Sequence, residues 1–476
     1  MAQGAIALLA ASMARDNGLA RVTQDLRAEV AAARPGDRLS SVRELMARHR
    51  ASPGTVQRAI ARLAEEGLVV PRPGRGTFVA DAPVTALADA APDLGWQVVA
   101  LGDRALDIGA LHAQLALPPA GAIPLSGGYP DESLQPAALL AGALSRAARR
   151  PGSWARMPTE GLERLRAWFA LQAGGGLRAH DVVITPGAQA GLATALRALV
   201  PPGGTVLLES PAYLGALAAA RMAGHRVVGV PTDRDGIRPD HLSAALAATG
   251  ARLVVCQPFC ANPSGATLSP ERRAAVLDAV SAAGAFLVED DYARDLALDG
   301  EPPPPLVADD RDGHVVYVRS LTKAAAPGLR VAALAARGPA GARLRSARVI
   351  DDFFVSGPLQ DAALDLVSSP AYRRHRRRVA GVLRERRDAL VTAVARYLPA
   401  ARLDVVPAGG LNLWLRLPDE VDDVALAAEA ARAGVIVSPG RACFPGDAEG
   451  PYLRLSFAGA PADDLARGVR ILGDLL

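Results

Sequence analysis

Six short apolar runs, each ending in a polar tail, constrain this chain more than any other feature. Beyond about Ile123 the sequence alternates between strand-like stretches (DVVITPG, TVLLESP, HRVVGVP, RLVVCQP, AFLVEDD and HVVYVRS) and Ala/Leu-rich helical stretches such as AGLATALRALV and PERRAAVLDAVSAAGA. Unbroken Val/Leu/Ile runs are what strands buried on both faces require, and the intervening helices supply the covering layers. The pattern predicts an α/β domain with a mainly parallel sheet. Ligands on such sheets sit beyond the carboxyl ends of the strands. The tails TPGAQ, ESPAY, NPSG, EDDY and SLTK would therefore converge on one crevice.

The SLTK tail carries Lys323, the only lysine in 476 residues; the other 52 cationic side chains are arginine. Arginine replaces lysine wherever a solvated charge suffices. It cannot replace an amine that must lose its proton, because guanidinium stays protonated in proteins, whereas a lysine amine can be tuned to form a Schiff base. A lysine that holds pyridoxal 5'-phosphate in this way needs an acid on the pyridine nitrogen, donors to the ring oxygen, an aromatic stacked on the ring and a phosphate cradle. Each is present at a strand end. Asp290 is the pyridine partner, preferred to Asp291 because it stands two residues before the tyrosine. Asn262 and Tyr292 serve the ring oxygen, and Tyr213 stacks. The backbone of Gly187, Ala188 and Gln189 opens the helix after TPG and cradles phosphate, aided by Ser320, Thr322 and Arg330. Arg454 in YLRLSF is a fork for the carboxylate of an incoming ligand.

Other chemistries find less support. Seven scattered histidines, none beside a cysteine at ligand spacing, argue against a metal site. The apolar patch in MAQGAIALLAASMAR has no basic residues before it and reads as neither export signal nor anchor. No apolar run approaches the length of a membrane span. Three cysteines (Cys256, Cys260, Cys443) then read as reduced thiols packed in a cytoplasmic protein.

Charge is unevenly placed. Residues 1–80 carry 12 Arg against 7 Asp+Glu, a net of +5, while the rest of the chain holds 41 basic and 42 acidic groups. A basic head on a neutral body points to nucleic acid. Within the head, TQDLRAEVAAARPGDRL reads as a helix ending at a Pro-Gly-Asp turn. SSVRELMARHR follows with Ser caps and an apolar stripe of Val42, Leu45 and Met46. In ASPGTVQRAIARLAEEGL, Ser52 caps, Pro53 takes the first helical position, and Val56, Ile60 and Leu63 form the buried stripe. Two short helices across a tight turn make a helix-turn-helix, whose second helix enters the major groove. VVPRPGRGTFVA reads as a two-stranded wing with Arg72 and Arg75 near its tip.

PGDRLSSVREL, SPGTVQRAIARLAEEGL and GRGTFV, in that order, resemble the winged helix-turn-helix of the GntR superfamily of bacterial regulators. That resemblance implies DNA contacts by Arg43, Thr55, Gln57 and Arg58, with Arg75 and Gly76 at the wing tip. NPSG, EDDY, SLTKxxxPGLR and YLRLSF, in order around the lone lysine, resemble a fold-type I, class I aminotransferase. The whole chain resembles a MocR-type regulator: a winged helix-turn-helix over 21–80, a linker over 81–120, and a pyridoxal-phosphate-binding, aminotransferase-like domain over 121–476. One departure stands out. In RMPTEGLERLR, Met157 occupies the place of a tyrosine that reaches the neighbouring subunit's phosphate, leaving Trp154 and Tyr129 as aromatic substitutes.

The reading that follows is a cytoplasmic homodimeric regulator, nucleoid-associated when on DNA, that binds double-stranded operator DNA and senses an amine or amino acid. A working aminotransferase with an inherited head, and a sensor of the cofactor alone, are the competing readings. Lys323 and Arg454 make a transaminase half-reaction chemically possible without net turnover. A complete helix-turn-helix and wing would be needless for an enzyme.

Overall fold

The computed structural model describes residues 19, 21–72, 74–80, 94–101 and 108–476. The N-terminal apolar patch and, within the expected linker, residues 81–93 and 102–107 lie outside the described residues. The chain forms two compact units, one up to residue 105 and one from residue 106 onward.

The first unit is built on three helices: α1 (residues 21–32), α2 (Val42–His49) and α3 (Pro53–Glu65). Helix α2 starts at a full capping box, in which Ser41 accepts from the Glu44 backbone N–H and Glu44 reaches back to the Ser41 N–H. It ends at Arg50, in the left-handed region at φ 49°. Ser52 caps α3 by accepting from Thr55 N, with Pro53 at the first helical position. Strands β1 (Val69–Arg72) and β2 (Gly76–Val79) pair antiparallel as the wing. One core joins all five elements, with Leu26, Leu45, Val56, Leu63, Val69 and Val79 buried in it. Two ion pairs brace the outside, Arg27 to Glu66 at 2.6 Å and Arg48 to Asp25 at 2.8 Å. Helix α4 (Gly95–Leu101) follows in the same unit.

The second unit opens with α5 (Gly109–Leu115) and a short strand β3 (Ile123–Pro124). Strands β4 (Val182–Thr185), β5 (Thr205–Ser210), β6 (Arg226–Asp233), β7 (Gly236–Ile237), β8 (Leu253–Cys256), β9 (Phe286–Asp290), β10 (Val315–Ser320) and β11 (Ala332–Ala335) form one sheet in the order β4-β11-β10-β9-β8-β5-β6-β7. All six strands expected from the sequence are present. Five of them, β10, β9, β8, β5 and β6, are mutually parallel. The unforeseen β11 runs antiparallel to both β10 and β4. Its sequence, AALA, has helical propensity, but the strand is wholly buried between its neighbours and covering layers, and that tertiary setting overrides propensity. Two reversals leave β4 pointing the same way as β10, so its tail stays on the common carboxyl edge.

Helices cover both faces, with one apolar core on each side of the sheet. A second, four-stranded sheet closes the chain: β12 (Arg402–Leu403), β13 (Asn412–Arg416), β15 (Ser438–Pro439) and β16 (Tyr452–Ser456), with β14 (Val435–Ile436) pairing instead with β3. Its core is shared with the long helix Pro370–Tyr397 and the C-terminal helix Ala462–Leu475.

The two units have separate cores, so their stabilities should separate as well. Leu63→Ala in the fully buried head core should cost the head about 2–5 kcal/mol. Chemical denaturation should show the head transition moving to lower denaturant while the body transition keeps its midpoint.

Candidate functional site

The carboxyl edge of the large sheet opens onto a cavity of about 320 Å3. Every expected cofactor residue except Gly187 lines it: Ala188, Gln189, Tyr213, Asn262, Asp290, Tyr292, Ser320, Thr322, Lys323 and Arg330, together with Arg454. They arrive on the tails of β4, β5, β8, β9 and β10, while Arg454 comes from β16 of the second sheet. Gly187 directly precedes the lining residue Ala188 in the chain.

Lys323 Nζ donates to Gly128 O at 2.7 Å and lies 3.7 Å from the centroid of the Tyr129 ring. Burial, with the charges of Arg454 and Arg330, brings its ammonium down from 10.5 to about 7, against the opposing pull of Asp290. Asp290 is buried, and Gln257 Nε2 donates to its Oδ2 at 2.7 Å, while Oδ1 has no partner among the described residues. Burial pushes its carboxyl up to about 6, which the Gln257 bond and Lys323 oppose. Asp291 takes no part in the cavity: it accepts from the Tyr317 hydroxyl at 2.7 Å and pairs with Arg294.

A hydrogen-bonded thread runs across the floor. Arg454 Nε donates to Asn262 Oδ1 at 3.0 Å, Asn262 N donates to Gln257 Oε1 at 2.8 Å, and Gln257 holds Asp290. Gln257 N in turn donates to the buried Glu209, whose carboxyl burial pushes up to about 7. Arg454 is buried and also donates to Ser126 O at 2.8 Å. Tyr213 donates to Gln189 Oε1 at 3.2 Å, and Tyr292 to Cys260 O at 2.7 Å.

Gly187 has φ 98° and ends β4's tail where α8 (Ala188–Leu199) begins, with no side chain capping the helix. A Cβ there would stand 2.3 Å from an Arg330 guanidinium nitrogen. Arg330, itself at φ 49°, donates to Pro186 O at 2.9 Å. The result is a helix N-terminus with a guanidinium beside it, an anion site by both dipole and charge. Thr322 Oγ1 is buried without a partner among the described residues, and Ser320 Oγ accepts from Thr322 N. Two buried orphan oxygens, an acid, a tuned amine and an anion cradle in one cavity fit the ring, aldehyde and phosphate of pyridoxal phosphate.

Sequence reasoning missed several lining residues. Leu111, Gln114 and Leu115 belong to α5, inside the stretch expected as linker but part of the second unit. Gln257, Leu411 and Asn412 were also missed. Gln257 had a signal: it is the first polar residue after the apolar run of β8. Tyr129 lies over Lys323, whereas Trp154 is 76% exposed and donates its indole N–H to Ala148 O. Among the described residues no His/Cys/Asp/Glu group is placed to hold a metal, and no helix is long and apolar enough to cross a membrane. All three cysteines are buried and free, with Cys260 and Cys443 pushed up to about 12 by burial.

In the head, Arg43, Gln57, Arg58 and Arg75 are exposed and Gly76 is half-buried. Gly76, at φ 116°, is crossed by the Arg38 side chain, 2.8 Å from where a Cβ would stand. Thr55 differs from the expectation of a DNA contact. It is buried, its Oγ1 bonds Ser52 Oγ at 2.9 Å, and the exposed edge of α3 falls to Gln57 and Arg58.

Comparison with known proteins fits both halves. The family Aminotransferase class I and II matches residues 129–472, and the family Bacterial regulatory proteins, gntR family, matches residues 19–79. The chain belongs to the aminotransferase class I and II family. With its gntR-family head, it has the architecture of a MocR-type transcriptional regulator. It is 28% identical over 467 residues to the uncharacterized HTH-type transcriptional regulator YdcR of Escherichia coli, covering 96% of this chain and 98% of that one. It is 32% identical to the 2-aminoadipate transaminase of Thermus thermophilus over 75% of this chain and 90% of the relative. Among solved structures, it resembles LysN, the alpha-aminoadipate aminotransferase of Thermus thermophilus complexed with N-(5'-phosphopyridoxyl)-L-leucine. The TM-score is 0.74 at 30% identity, covering 80% of this chain and 97% of that one.

The lowered ammonium of Lys323 gives a pH prediction. Only the neutral amine attacks an aldehyde, so attachment of added pyridoxal phosphate to cofactor-free protein should quicken as pH rises through about 7 and level off above it. Visible absorption follows the reaction. A rate still climbing steeply toward pH 10 would mean an untuned lysine.

Proposed function

We propose that this regulator holds pyridoxal 5'-phosphate covalently on Lys323 and that an amine or amino acid seated beside it changes how the head engages double-stranded operator DNA. The observation that carries the reading is the pairing, in one cavity, of a lysine tuned to about 7 with a buried carboxylate whose Oδ1 is free. When bound, the group supplies an aldehyde and an electron-withdrawing ring. Asp290 Oδ1 keeps a proton at the ring nitrogen, Asn262 and Tyr292 orient the ring oxygen, and Tyr213 stacks on the ring face. Ala188 and Gln189 N–H groups, Ser320, Thr322 and Arg330 hold the phosphate, while Gly187 keeps the approach open.

Arg454 binds the effector's carboxylate. Its guanidinium already donates to Ser126, and Lys323 to Gly128, so a ligand that engages both releases one short segment from two sides. That segment follows β3, and the chain before it leads through α5 toward the head. A ligand shifts an equilibrium only by its different affinity for the two states, and about 1–3 kcal/mol of such coupling makes a useful switch. In the head, Arg58 and Gln57 read bases from α3, Arg43 and Arg75 contact the duplex from α2 and the wing, and Gly76 shapes the wing tip. The regulator works in the cytoplasm as a homodimer. Exposed Trp154, on the loop that packs on Gly357, and exposed Ile350 and Phe353 just before Gly357 supply apolar surface for a second copy.

Arg454→Ala should keep the cofactor's absorption and basal DNA binding but lose the response to amino acids, read as an unchanged operator affinity with and without ligand. An unaltered response midpoint would leave the carboxylate role without support and favour sensing of the cofactor alone. Arg58→Ala should weaken operator binding by about 1–3 kcal/mol and relax its sequence preference. Equal losses on operator and scrambled duplex would make Arg58 a phosphate contact instead.

A further inference from the structure

We propose that the body carries a second DNA-contact surface, the outward face of the helix Pro370–Tyr397, where Arg373, Arg374, Arg377 and Arg378 meet the phosphate backbone of the duplex. The inference goes beyond the function proposed above and rests on its reading of the chain as a DNA-binding protein.

This helix opens PAYRRHRRRVAGVLRERRDAL, with no acidic residue in its first turn. Apart from Arg396 in the last turn, which lies over the Tyr397 ring, its arginines divide into two sets. Those turned inward or along the flank are matched to carboxylates: Arg376 to Asp295 at 2.9 Å, Arg384 to Asp299 at 3.1 Å, Arg386 to Asp131 and Arg387 to Asp299. The four proposed here are all exposed and form no ion pair among the described residues. Arg373 reaches only Ser368 O at 3.5 Å, and Arg378 only His375 Nδ1 at 3.4 Å.

At 100° per residue the four fall within about 140° of one another, opposite the buried Tyr372, Val379 and Leu383. Arg373 and Arg377, and Arg374 and Arg378, are i,i+4 pairs of like charge, which repel. Arg373, at the end of the first turn, also stands near the helix N-terminus, where the backbone dipole opposes cations. His375 feels the same field: after burial, the Arg378 charge is the next cause holding it below its ordinary range. An arrangement that opposes itself in the free protein is relieved by a polyanion, which adds the favourable term of released counterions. Adjacent turns rise 5.4 Å, close to the spacing at which successive phosphates can be met by paired guanidinia. Duplex DNA is the polyanion this chain is built to meet, since its head belongs to a DNA-binding regulatory family.

The test uses the full-length, cofactor-loaded protein and a labelled duplex in which the operator is extended by flanking sequence. Binding is measured over a series of salt concentrations. Replacing all four residues (Arg373→Gln, Arg374→Gln, Arg377→Gln, Arg378→Gln) should flatten the slope of log affinity against log salt by about 3.6, near 0.9 for each phosphate no longer neutralised. The operator's advantage over scrambled sequence should stay as it was, because phosphates carry no base identity. The milder pair Arg373→Gln with Arg377→Gln should flatten the slope by about half as much. Arg384→Gln, an exposed arginine that already has a carboxylate, should leave the slope unchanged. A parent protein that binds no DNA at low salt would overturn the DNA-binding reading together with this one. If the parent binds and the fourfold variant keeps its slope, with unaltered visible absorption, this inference alone is wrong. Loss of binding to polyuridylate with an unchanged DNA slope would likewise overturn it and assign the patch to RNA.

Discussion

A strand buried on both faces has nowhere to put a polar side chain except at its ends, and this constraint organises the body. Strands β5, β8, β9 and β10 lie under helices on both sides, with central residues such as Leu207, Val254, Val288 and Val316 almost wholly buried. Their polar residues collect at the carboxyl edge because nothing else can take them. Once there, they stand in a confined cavity cut off from bulk water. Lys323 and Asp290 move toward each other on the pH scale, down to about 7 and up to about 6, for the same reason of lost water. The chemistry of the site is therefore a consequence of the sheet.

Gln257 shows how closely the parts are tied. One side chain bonds Asp290 through its nitrogen and the Asn262 backbone through its oxygen, while its own backbone N–H serves Glu209. Asn262 then holds Arg454. Arg454 and Asp290, on different sheets, are joined by three hydrogen bonds. Each group left to itself would be a buried polar group without a partner.

Much of this could be read in the sequence. Apolar runs located six strands, and the polar tails, Lys323 among them, located the cavity. The capping residues Ser41 and Ser52 were legible because a helix start needs an acceptor for its free N–H groups. What escaped had physical reasons. Ala332–Ala335 forms a strand against its helical propensity because only its tertiary neighbours decide the matter. Helix α5 is only seven residues long, too short for Leu111 and Leu115 to mark more than a partly helical end to an apparent linker, and its leucines have meaning only as a cavity wall. Thr55 looks like a reader on a recognition helix, but a hydroxyl three residues after a capping serine closes on that serine. The arginine face of Pro370–Tyr397 was hidden by averaging, since a body that nets nearly zero charge conceals a local excess.

The solitary lysine has an effect outside the cavity. Acyl transfer, glycation and the ligation of small protein tags all act on ε-amines, and the exterior of this body presents none. The single ε-amine is enclosed by Tyr129, Gly128 and Arg454. Whatever the cell writes on lysines, this protein can receive only through that cavity, and only while it stands empty.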